Sequence, residues 1–201
     1  RPTKAYKLNR HDLIDNGQNP VLANSSHNNG ISGYTTLECT EKGGFISFSD
    51  TTSGGDTMFY QPEPVVGYSH VQGLFPTDIE LNEYKAQYLI SVIRAHLGGT
   101  WNYINKLTRK HMEKLKIQLP VDSTGQPDWD YMEAFMEQIN QQAQARLNEY
   151  KEGKLEYTTL DSKIGYTPVD TKSWAEFKVG DLFEKISRGT RLKKANRITG
   201  D

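Results

Sequence analysis

Seven consecutive positions, Asn24-Ser25-Ser26-His27-Asn28-Asn29-Gly30, carry short amides, hydroxyls and an imidazole, with a closing glycine. An asparagine amide can pair bidentately with an adenine edge, and a serine hydroxyl serves a base edge or a phosphate oxygen. Asn29-Gly30 is also a strong hairpin-turn signal. The two uses are compatible, since the turn can display the residues before it. Ser49-Asp50-Thr51-Thr52-Ser53-Gly54-Gly55-Asp56 is a second run of similar donors and acceptors. From these runs Ser25, Ser26, His27, Asn28, Asn29, Thr51, Thr52, Ser53 and Asp56 are candidates for base contacts.

Cations gather locally although the net charge is -1. Lys106, Arg109, Lys110, His111, Lys114 and Lys116 face only Glu113 as a counter-charge, and Arg1, Lys4, Lys7 and Arg10 form another group. Such runs are ordinarily solvated faces. Beside Trp101, Tyr103 and two polar loops they can serve as phosphate contacts. The candidates are Lys4, Lys7, Arg10, Tyr103, Lys106, Arg109 and Lys110.

Catalytic patterns are missing. His11, His27, His70, His96 and His111 form no His-Glu-x-x-His pair and no metal-spaced cluster. No Gly-Lys-Ser/Thr follows Gly43-Gly44 or Gly54-Gly55, so neither makes a phosphate-cradling loop. Ser26 and His27 lack a Gly-x-Ser-x-Gly elbow. The single Cys39 rules out an internal disulfide framework and fits a reduced, cytoplasmic setting. No apolar run approaches the roughly 20 residues of a membrane span. No catalytic residue and no metal ligand is assigned.

These side chains need a scaffold. Val21-Leu22-Ala23, Gly33 to Leu37, Phe45 to Phe48 and Thr57 to Tyr60 are short β-favouring runs between turn-forming segments, predicting a curved, mainly antiparallel sheet. Apolar residues spaced by three and four from Asn82 predict a helix ended by Gly98-Gly99. A shorter helix is expected over Thr108 to Leu115, then a strand over Lys116 to Pro120. Asp128 to Lys151 is the clearest element: Met132, Phe135, Met136, Ile139, Ala143, Leu147 and Tyr150 form an apolar seam on a long helix. A narrow seam can lie along a second helix or pack on the chain's own sheet. The expected fold class is α+β, with short helices packed on the sheet.

Arg1, Thr3, Lys7, Asn9 and Arg10 recur in the same spacing as Arg188, Thr190, Lys194, Asn196 and Arg197, which suggests an internal repeat. Lys185, Arg191 and Lys193 extend that basic echo. Trp174-x-x-Phe177-Lys178-Val179-Gly180-Asp181-Leu182-Phe183 opens a new hydrophobic unit after a linker-like stretch.

In order, Asn28-Asn29-Gly30-Ile31-x-Gly33-Tyr34, Met58-Phe59-Tyr60-Gln61, Tyr103-Ile104-Asn105-Lys106-Leu107, Ile117 to Val121, Pro127-Asp128-Trp129-x-Tyr131-Met132-Glu133 and the Trp174 to Phe183 opening resemble the target-recognition domains of type I restriction-modification specificity subunits, and of their BcgI-like relatives. The resemblance implies a recognition domain over 1–122 lacking its own opening, a coiled-coil-type spacer helix over 123–153, a linker over 154–173 and a truncated opening of a second copy over 174–201. It implies sequence-specific recognition of double-stranded DNA at a split site, without catalysis by this chain. Methyltransferase subunits and an endonuclease/translocase subunit would be partners, using S-adenosylmethionine, ATP and Mg; this chain would bind none of these cofactors. A second spacer helix or second copy would pair along the seam, and no membrane is implied. Two alternatives stay open: the same module inside a fused restriction-methylation enzyme, and a protein- or carbohydrate-binding β-domain.

Overall fold

A computed structural model describes residues 10–51, 54–97, 101–102, 104–154 and 172–188. The described residues form two compact units. The first joins the chain up to Ile117 with the segment from Phe177 onward, and the second is Gln118–Glu176, inserted between those two pieces of sequence.

In the first unit, α1 (Arg10–Leu13) precedes an antiparallel pair, β1 (Asn19–Leu22) and β2 (Ile31–Thr35). Asp15 organises the approach: its carboxylate accepts from the Thr36 hydroxyl (2.8 Å) and from the Thr36 and Gly17 N–H groups (2.8 and 2.7 Å). These bonds, the Thr36 hydroxyl first, lower its pKa. A Cβ at Gly17 would sit 1.9 Å from the Thr35 backbone, so only glycine allows that approach.

The central sheet runs β4–β3–β5–β8, all pairs antiparallel, with β3 (Phe45–Ser49), β4 (Phe59–Gln61), β5 (Val71–Pro76) and β8 (Phe183–Arg188). Every residue of β3 is buried, although Ile46-Ser47-Phe48-Ser49 alternates apolar and polar as a half-exposed strand would; the buried Ser47 hydroxyl donates to Phe59 O at 3.3 Å. Phe45 stacks on Phe75 at 4.7 Å, and Leu22, Phe45 and Val65 form a core cluster. Helix α2 (Glu83–Leu97) buries Leu89, Ile90 and Ile93 and packs on β3 and β4. At the other edge, α3 (Arg109–Lys114) lies against α5 (Val179–Leu182) and β8. Val179 N–H donates to Leu115 O at 2.8 Å there.

Strand β8 pairs with β5 within the first unit. The segment expected to open a second copy carries the fourth strand of the first unit's sheet. The proposed repeat of residues 1–10 and 188–197 lies almost wholly outside the described residues, as do most of the linker and residues 189–201.

The second unit holds most of the ribbon made by β6 (Lys116–Pro120) and β7 (Trp174–Lys178), and α4 (Trp129–Lys151). Asp128 caps α4 by accepting from Tyr131 N–H at 2.9 Å. Its other carboxylate oxygen takes the Lys172 ammonium, which also lies 4.8 Å from the Tyr131 ring centroid. Lys172, then the Tyr131 N–H, hold the Asp128 carboxyl below its usual range. Val121 N–H donates to Ser173 O at 2.9 Å, so the chain is tied down on both sides of the helix and its return. Along the predicted seam, Met132 is buried, Phe135, Met136 and Ile139 are half-buried, and Ala143, Leu147 and Tyr150 are exposed. The seam is therefore exposed over about the last two turns of α4. A paired spacer helix and a second copy are absent among the described residues.

Candidate nucleic-acid interface

The first polar loop is built on left-handed backbone. Asn28, Asn29 and Gly30 have φ of 51°, 53° and 74° in a 3-10 turn between β1 and β2. Asparagine and glycine are the residue types that adopt this region most cheaply, which is why the run reads Asn-Asn-Gly. Side chains then lock it. Ser25 Oγ accepts from His27 N–H (3.1 Å), Asn28 Nδ2 donates to Ile31 O (3.0 Å), and Asn29 Nδ2 donates to Tyr60 O (3.0 Å). Gln61, buried on β4, donates from Nε2 to Asn29 O and to Ser47 Oγ, both at 3.0 Å. Ser26, His27, Asn28 and Asn29 are exposed, and Ser25 is half-buried. Both asparagine amides are committed to backbone carbonyls. Bidentate pairing with adenine would need either side chain to exchange that bond.

The second polar loop ends in a 3-10 turn, Gly54–Thr57, directly before β4. Its base is fixed through Asp50: one carboxylate oxygen accepts from Gln72 Nε2 (2.7 Å), and the other lies 3.0 Å from His70 Nδ1. His70 itself is held at φ 68°. Ser49 N–H donates to Thr57 Oγ1 at 2.9 Å. From α2, Arg94 donates to Gly55 O (2.6 Å) and Met58 O (2.9 Å). Asp56 is exposed and Thr51 half-buried; Thr52 and Ser53 lie outside the described residues.

The two turns thus share one strand, β4. Between the first turn, β4 and α2 lies a groove of about 550 Å³ whose lining includes Asn29, Tyr60, Gln87, Ser91 and Arg94. The cations are elsewhere. Arg109 and Lys110 are exposed on α3, with Lys106 half-buried just before it. This helix is beside β8, at the opposite edge of the sheet from β4. Three strand spacings, about 14 Å, separate the edges. Lys4, Lys7, Tyr103 and the Arg10 side chain lie outside the described residues. The pairing candidates Met132, Phe135, Met136, Ile139, Ala143, Leu147 and Tyr150 all fall in the second unit.

Sequence reading missed the residues that hold the turns: Gln61, His70, Gln72 and Arg94. Gln61 closed a motif that had been singled out, and its amide on a short strand was the available clue. Arg94 had none, because an arginine on a helix's polar face looks like any solvated cation. Among the described residues, no group of three or more His, Cys, Asp or Glu side chains could hold a metal ion, and no helix is long and apolar enough to cross a membrane.

Residues 3–149 match the family described as type I restriction modification DNA specificity domain. Over 123 residues the chain is 25% identical to the specificity subunit S of the type II restriction enzyme BgcI from Heyndrickxia coagulans, covering 61% of this chain and 33% of that protein. The chain thus spans about a third of that curated relative's length. No solved structure matches.

Proposed function

From the premise that this chain belongs to the type I restriction-modification DNA specificity domain family, we propose that it reads base sequence in double-stranded DNA and delivers that choice to catalytic partners. The observation that carries this reading is that two polar turns adjoin the same edge strand: Ser25–Gly30, which exposes Ser26 to Asn29 and is hydrogen-bonded to β4, and Gly54–Thr57, which exposes Asp56 and runs through Met58 into β4. A duplex reader needs donors and acceptors displayed on a preorganised frame, with separate cations for phosphates. Ser25, Ser26, His27, Asn28, Asn29, Thr51 and Asp56, with Thr52 and Ser53, are assigned to base edges. Lys106, Arg109 and Lys110 are assigned to phosphates, and Lys4, Lys7, Arg10 and Tyr103 extend that set from the sequence alone.

Helix α4 serves as the spacer to a second recognition half. Its 23 residues span about 35 Å, close to one turn of duplex DNA. A second spacer helix covers the emergent seam, where Leu147 is 41% and Tyr150 43% exposed. Methyl transfer and cleavage, with S-adenosylmethionine, ATP and Mg, belong to methyltransferase and endonuclease/translocase subunits.

Selection from a randomised duplex pool tests the proposal, with the salt dependence of binding measured on the enriched sequence. One enriched motif is expected, with affinity falling steeply as salt rises. Uniform recovery of all sequences, or binding indifferent to salt, would overturn it.

A further inference from the structure

The geometry points to Arg94 as a positioning residue for sequence discrimination, a role that rests on the DNA-reading proposal above. Arg94 is exposed on α2, yet its planar fork is engaged. Nε donates to Gly55 O at 2.6 Å and Nη2 to Met58 O at 2.9 Å. These two carbonyls flank the tip of the Gly54–Thr57 turn, so one guanidinium spans it; a lysine's single ammonium has no such fork. The turn also rests on the arginine's aliphatic stem, because a Cβ at Gly55 would lie 3.3 Å from Arg94 Cγ.

Arg94 reaches beyond its own turn. Met58 runs into β4, and two residues later Tyr60 O receives the Asn29 amide that anchors the first turn. Arg94 therefore sets the second turn against the strand that also holds the first. The helix behind it is anchored in the core by Leu89 and Ile93, both fully buried. Base readout tolerates misplacement of only about 0.5 Å, so this clamp determines how sharply right and wrong sequences are told apart. It adds little to the affinity shared by all duplexes.

The experiment uses the full chain with Arg94→Met and Arg94→Lys. Affinity is measured for the pool-selected duplex and for its single-base mismatches at several salt concentrations, and amide hydrogen exchange is followed at Met58, whose N–H donates to Gly55 O at 3.2 Å. For Arg94→Met, the ratio of matched to mismatched affinity drops by about tenfold. Affinity for unrelated duplexes and the salt slope stay unchanged, and the Met58 amide exchanges faster. Arg94→Lys restores part of the ratio. An equal loss on every sequence, with the slope reduced by about one unit, would make Arg94 a phosphate ligand and overturn the inference. An unchanged ratio would overturn it too. If Arg94→Met loses its thermal transition, Gly55→Ala decides: a lowered ratio supports positioning, and an unchanged one refutes it. A wild-type chain that enriches no motif sinks the DNA-reading proposal itself. The exchange rate at Met58 still reports whether Arg94 fixes the turn.

Discussion

At the β4 edge of the four-stranded sheet, polar turns are tied into the fold by hydrogen bonds from Asn29, Gln61 and Arg94. At the β8 edge, Arg109 and Lys110 stand exposed on a six-residue helix that is capped by the Thr108 hydroxyl and tied to the sheet side by Val179 N–H on Leu115 O, bonds in which neither cation takes part. The contrast is between groups whose direction is fixed and groups whose charge matters more than their direction. Fixed donors and acceptors discriminate among base edges, whereas mobile cations attract any phosphate. On the proposed function, one small sheet would keep selectivity and general attraction on separate edges, where each can be altered without the other.

The comparison predicts separable losses. The largest follows from neutralising the cationic edge. Lys106→Gln, Arg109→Gln and Lys110→Gln together should lower affinity for every duplex alike by roughly two to three orders of magnitude at low salt, and reduce the salt slope by about three units. A titration series on matched and mismatched duplexes reads this, and unequal losses would dissolve the distinction between edges.

Glu41 supplies a control that belongs to neither edge. It is 9% exposed, its Oε1 has no hydrogen-bond partner among the described residues, and its backbone pairs with Val65. Burial pushes its pKa from an ordinary 4.5 up to about 7. Below pH 4.5 both folded and unfolded chains hold the proton, and there is no penalty. Between 4.5 and 7 only the unfolded chain ionises, so stability falls as pH rises, and above about 7 the full cost, about 3 kcal/mol, is present. Glu41→Gln should flatten that decline in denaturant titrations at pH 5 and 8, while leaving matched-to-mismatched ratios as they were.

On the β4 edge, Gln61→Leu removes the amide shared by Asn29 O and Ser47 Oγ. We expect a stability loss of about 2 kcal/mol and weaker discrimination at an unaltered salt slope. Smallest is Asn28→Ala, which should change preference at one base position by about 1 kcal/mol with general affinity intact. A uniform loss from Asn28→Ala would remove it from the base-reading set.

Much of this scaffold was legible from composition and spacing. The periodic runs at 82–97 and 128–151 became α2 and α4 almost residue for residue, and the alternation at Lys116–Pro120 became β6. Strand β5 was missed, since Gln72 and Gly73 interrupt its apolar residues and Pro76 ends it. The destination of β8 was illegible for a different reason. A strand's partner is set by long-range pairing, and nothing local in Phe183–Arg188 names residues 72–76 as its neighbours. At the site, the displayed polar residues could be read from their types. The residues that hold them could not, because a side chain that donates to a distant carbonyl looks in sequence like one that faces water.

The partnership of β5 with β8 has a consequence for synthesis. Val71–Pro76 leaves the ribosome about a hundred residues ahead of the strand that will cover it, so a long loop must close before the pair can form. Until then β5 offers an uncovered row of peptide groups to any passing extended segment. Completion of the nascent sheet therefore waits on translation of the whole intervening unit, and that interval is when strand exchange between neighbouring nascent chains is most favoured.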